Sequence, residues 1–139
     1  MQFFNVLSTI LAAIGLAMAT PLPASELVAR NVTTALDDYP ATCNNEKLDT
    51  GKMWLAWAHI HDHIGHPCAL PAGDGTAQFA HEGGVFVSGR RWGNVNQVDC
   101  GDVAQAVWDI TAGCGSRGGS KGATAGPNTI VVHVASHWV

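Results

Sequence analysis

The sequence predicts an α+β fold: a small α/β sandwich with two helices packed on one face of an antiparallel sheet and secured by two disulfides. Three observations lead to this expectation. Two segments, residues 50–64 and 100–112, repeat apolar side chains at helical spacing. Paired glycines, Gly83-Gly84, separate two β-prone runs, and a third such run lies at Thr129–Ala135. Four cysteines follow an N-terminal segment of secretory type.

The first helix draws its start from Asp49 or Thr50, either of which can cap exposed amides. Its stop comes from Gly65 and Pro67. Met53, Trp57, Ile60 and Ile64 form its expected buried stripe. A Gly/Pro loop at residues 71–75 leads into the hairpin, whose strands are expected over Thr76–His81 and Val85–Ser88. The second helix takes Asp99 as its cap, with Asp102 complementing the helix dipole and Gly113 ending it. Val103, Val107 and Ile110 face its core. Residues 113–126 are a surface loop by composition. In the last strand Ile130, Val132 and Val134 face one way, and an earlier strand is allowed for in residues 31–38.

Residues 1–19 read as a signal peptide. No residue from Phe3 to Ala19 is charged, and Ala17-Met18-Ala19 supplies the small side chains of a cleavage site. The apolar run is too short to stay behind as a membrane anchor. Residues 20–30 form a leader or pro-segment with two prolines, and Arg30 marks a processing point. Residues 31–139 form one secreted domain. The destination is therefore extracellular, where Asn31-Val32-Thr33 is a glycosylation sequon and an even number of cysteines forms disulfides.

Helix geometry selects the pairing. Cys100 and Cys114 bracket the second helix, roughly 20 Å apart at about 1.5 Å per residue. A disulfide spans Cα separations of only about 4.4–6.8 Å. That excludes Cys100–Cys114 and with it Cys43–Cys68. Helices lying antiparallel bring the end of one to the start of the other, which favours Cys68–Cys100 and Cys43–Cys114.

Charge and composition narrow the function. A formal net charge of −4 excludes a partner recognised through phosphates, so no nucleic acid is expected. No serine stands in a recognisable catalytic setting and no carboxylate pair stands out, so no catalytic residue is assigned and no cofactor is called for. His59, His63 and His66 share one side of the first helix, and two imidazoles a turn apart can chelate zinc or copper. The run lacks the glutamate of His-Glu-x-x-His; a solvated helix face that happens to use histidine is the plainer reading, and a pH-sensing cluster is a third. Arg90-Arg91 is a dibasic pair at which a processing protease can cut after Arg91; surface arginines are the plainer reading. Trp57 belongs to the core by its spacing, whereas Trp54, Trp92 and Trp138 suit an exposed binding face.

Residues 83–135 run Gly-Gly-Val-Phe-Val-Ser-Gly, then Val98-Asp-Cys-Gly-Asp-Val-Ala-Gln-Ala-Val-Trp-Asp-Ile-Thr-Ala-Gly-Cys114, a glycine-rich loop and Thr129-Ile-Val-Val-His-Val. This order resembles small secreted cysteine-containing fungal proteins of the effector and killer-toxin-like type. The resemblance implies an α/β sandwich and a non-enzymatic protein that binds an extracellular target on a host or competing cell. It assigns no functional residue. A small secreted hydrolase or metal-binding protein using the histidine-rich helix, and a cell-wall carbohydrate-binding module using the tryptophans, are the alternatives.

Overall fold

The computed structural model describes residues 38–73 and 75–139. Cleavage at Ala19, processing at Arg30, glycosylation at Asn31 and a strand beginning at residue 31 lie outside the described residues.

The elements run β1 (Thr42–Cys43), α1 (Thr50–His61), β2 (Pro67–Ala69), β3 (Thr76–Glu82), β4 (Val85–Trp92), β5 (Gln97–Asp99), α2 (Cys100–Cys114), a 3-10 turn at Gly115–Arg117, β6 (Gly119–Gly122) and β7 (Thr129–Ala135). Five strands form an antiparallel sheet in the order β1-β6-β7-β4-β3, and β2 pairs with β5 in a separate two-stranded ladder.

Both helices start where their caps place them. The Asp49 carboxylate accepts from the Lys52 amide at 3.0 Å, and the Asp99 carboxylate accepts from the Gly101 amide at 2.6 Å. Their ends differ from expectation. α1 stops at His61, because the chain turns through residues 62–66 before Pro67 enters β2. Ile64 therefore leaves the stripe and is 53% exposed, and the buried residues of α1 are Met53, Ala56 and Ile60. α2 continues through Gly113 to Cys114. The residue that ends it is Gly115, whose φ of 59° is open to glycine at little cost.

The hairpin turns at Gly83-Gly84, both with positive φ, between the paired residues Glu82 and Val85. β4 runs four residues past Ser88, to Trp92, because it is bonded on both sides, by β3 and by β7. Arg90 and Arg91 thus lie inside a central strand, with partners Thr76 and Val131 for Arg90 and Ile130 for Arg91. Cutting after Arg91 requires the sheet to open first.

The glycine-rich segment departs most from its expected form. Gly119–Gly122 is a strand inserted between β1 and β7, and Gly119, Ser120 and Gly122 are buried. A Cβ at Gly119 would strike the Thr42 carbonyl, and one at Gly118 the Val134 carbonyl. Glycine here admits close backbone approach rather than loop freedom.

One apolar cluster joins the buried stripes of both helices to Ala80, Val85, Val87, Val132 and Val134 of the sheet. Val87 and Val134 are direct cross-strand partners, so they share a face. Two disulfides close the fold: Cys43–Cys114 ties β1 to the end of α2 with Cα atoms 5.4 Å apart, and Cys68–Cys100 ties β2 to the start of α2 at 5.0 Å. Among the described residues no helix is long and apolar enough to cross a membrane.

Candidate functional site

With Met53, Ala56 and Ile60 turned inward, positions 54, 57 and 61 follow one another along the flank of α1. On α2, Val103, Val107 and Ile110 take the core, which leaves Trp108 pointing out. The helices pack side by side, and the three indoles meet across the seam. Trp54 lies 5.6 Å from Trp57 and 4.9 Å from Trp108 between ring centroids, and Trp57 lies 5.8 Å from Trp108. His61 stacks obliquely on Trp57 at 4.5 Å. The rings meet mostly edge to face, the arrangement their quadrupoles favour.

The cluster stands partly in water. Trp54 is 39% and Trp108 44% exposed, while Trp57 is half-buried and rests on the core. Beside it a cleft of about 280 Å³ opens between the helices, lined by Trp57, His61, Ile64, Gln105 and Trp108 over the small residues Gly101 and Ala104. Indole faces, an imidazole and a carboxamide are groups for stacking and hydrogen bonding. This is binding chemistry.

Trp54, Trp92 and Trp138 are exposed as expected, but the structure does not bring them together. Trp92 packs edge-on against Tyr39 at 5.2 Å, away from the helix pair. Trp57 is not the core residue its spacing implied, because α1 turns that position toward the seam with α2. Trp108 was missed. Its signal lies in the sequence, since it follows Val107 directly and so falls off the Val103–Val107–Ile110 stripe.

The structure does not gather the three histidines around one point. α1 ends at His61, so His63 and His66 sit on the following turns, and all three candidates are exposed. Ring centroids are 5.3 Å apart for His59–His63 and 6.5 Å for His63–His66, and His63 Nδ1 donates to the His59 carbonyl at 2.7 Å. Among the described residues no group of three or more His, Cys, Asp or Glu is placed to hold a metal ion.

Across the other flank of α2, Asp109 forms an ion pair with Lys121 of β6 and accepts from Gln105 at 2.8 Å. The Lys121 hydrogen bond holds the Asp109 carboxyl below its ordinary range. Comparison with protein-family models, with curated proteins and with solved structures returned no match for this chain.

Proposed function

We propose that this chain is a secreted, non-enzymatic protein of the fungal effector or killer-toxin-like type, a two-layer α/β sandwich that acts by binding an extracellular target. The surface proposed for the contact is the Trp54–Trp57–Trp108 cluster and the cleft beside it. One observation carries this reading: three tryptophans gather at a single seam and leave indole surface in water. Apolar surface is stabilised by burial at about 25 cal/mol per Å². Some 100 Å² left open on each of Trp54 and Trp108 therefore holds roughly 5 kcal/mol of gross binding free energy. Clustered aromatic anchors of this kind dominate interfaces. The two disulfides fit an oxidising, extracellular compartment.

A second reading has its own support. Gln105 and His61 beside the indoles supply polar groups next to stacking faces, which is what a sugar ring requires. Titration of the purified protein with chitin and glucan oligosaccharides, followed by tryptophan fluorescence, separates the two. The effector reading expects saturable binding to intact target cells, lost in W54A/W108A, with no response to oligosaccharide. Equal cell binding by that variant would refute the assignment of the surface. Oligosaccharide binding lost in W54A/W108A would instead assign a carbohydrate-binding module.

A further inference from the structure

The second face of the five-stranded sheet carries a different set of residues. Side chains alternate along each strand, so Ser88 and Arg90 of β4 point away from the side that holds Val87. His133 lies between its direct partners Ser88 and Ser120, and Val131 between Arg90 and Gly122. Tyr39 lies over Gly122, its hydroxyl 3.4 Å from Ser120 Oγ and its ring edge-on to Trp92. Tyr39, Trp92, Val131, His133 and the two arginines Arg90 and Arg91 line a recess of about 140 Å³.

This recess holds unspent hydrogen-bonding capacity. Among the described residues, three buried side-chain atoms have no partner: His133 Nε2, Arg91 Nε and Ser88 Oγ. His133 lines the recess and Ser88 is its cross-strand partner, whereas the Arg91 side chain alternates to the opposite face of the sheet, beside Gly75, so two of the three atoms belong to this place. Ser88 is only 1% exposed. A buried polar group left unpaired costs about 1–3 kcal/mol, so such atoms gathered in one place imply a guest that satisfies them. Among the described residues neither arginine takes part in an ion pair, so the charge offered to that guest is positive.

We infer that this recess is a binding site for a small carboxylate carried on a compact ring, held by the Arg90 guanidinium and His133 Nε2 against the contacting Tyr39–Trp92 pair. The guanidinium fork matches a carboxylate in the plane. Its aromatic walls suit a ring, and its volume lies below the roughly 300 Å³ at which drug-sized ligands begin to fit. The site is separate from the helix-borne tryptophans and does not depend on their role. Burial and then the Arg90 charge hold the His133 imidazole below its ordinary range. The groups facing His133 are Ser88 and Arg90 from β4, Ser120 from β6 and Tyr39 from the segment before β1. A bound carboxylate offsets the Arg90 charge and accepts the imidazole proton, so binding raises the pH at which His133 titrates.

The test titrates the full secreted protein with galacturonate, using uncharged galactose as the control. The His133 ring resonance in NMR and tryptophan fluorescence report binding. Galacturonate is expected to bind in roughly the millimolar range, move the His133 titration upward and quench Trp92, whereas galactose does neither. Arg90→Gln, a change at an exposed position, is expected to weaken binding by about tenfold or more, and W54A/W108A to leave it unchanged. Should Arg90→Gln fail to fold by circular dichroism, His133→Gln replaces it with the same expectation for the affinity. Galactose binding as tightly as galacturonate, native affinity in the folded variant, or an unmoved His133 resonance at saturating galacturonate would each overturn the inference.

Discussion

Removing the disulfides one at a time tests how they divide the stabilisation of this small domain. The Cys43–Cys114 bridge closes 71 residues and the Cys68–Cys100 bridge 32, and the second lies wholly inside the first. Taken separately, chain-entropy loss gives about 4.4 kcal/mol for the longer loop and about 3.7 kcal/mol for the shorter. Nesting changes this. With Cys68–Cys100 in place, the outer bridge restrains only the 39 residues by which the two separations differ, which lowers its share to about 3.9 kcal/mol. C43A/C114A should therefore destabilise by about 3.9 kcal/mol and C68A/C100A by about 3.2 kcal/mol, because in the second variant the remaining bridge closes all 71 residues. Either loss is a large part of the roughly 5–15 kcal/mol that holds a domain folded. Urea unfolding under non-oxidising conditions, followed by tryptophan fluorescence, measures both changes from the midpoint and slope. An excess of about 2 kcal/mol for C43A/C114A over C68A/C100A would refute the nested-loop reasoning. A loss under about 1 kcal/mol for either would show that the bridge constrains little of the unfolded chain.

W54A/W108A should lower unfolding free energy by about 3–7 kcal/mol, because each indole buries more than half its surface at the seam, while abolishing target binding; thermal unfolding beside a cell-binding assay on the folded variant checks both halves. Gly119→Ala should destabilise by about 1–3 kcal/mol, since its Cβ meets the Thr42 carbonyl with Cys43 Cα 3.2 Å and Cys114 Sγ 3.3 Å away; faster exchange of the β1–β6 amides would locate the damage. Stability should fall on acidification. His133 is held below its ordinary 6.5 by burial first and Arg90 second, so the unfolded chain takes up its proton earlier than the folded one. That contribution is complete above the ordinary value and is lost as pH falls through the lowered one. His133→Gln should flatten the stability profile across this window, as read from denaturation midpoints. Asp109, lowered from 3.8 chiefly by the Lys121 hydrogen bond, adds a second loss at lower pH, which Lys121→Met should remove.

The sequence by itself determined what local chemistry governs: both helix starts through Asp49 and Asp99, the Gly83-Gly84 reversal, and the buried stripe of the second helix. It also excluded one of the three cystine pairings, because a helix separates Cys100 from Cys114; the choice between the other two rested on how the helices pack, which the structure decides as Cys43–Cys114 and Cys68–Cys100. What escaped it depends on chain segments far apart. β1, β2 and β5 are two or three residues long, too short for any period, and exist only because a partner strand bonds them. Gly119–Gly122 has the composition of a loop, yet two flanking backbones approach where no side chain would fit, and tertiary pairing overrides its propensity. The binding surfaces follow the same division. Sequence spacing shows that Trp108 leaves the core stripe, but only the packing of α1 beside α2 brings it to Trp54 and Trp57. The row Ser88–His133–Ser120 is assembled across three strands, so its unpartnered atoms become visible only once the register of the sheet is set.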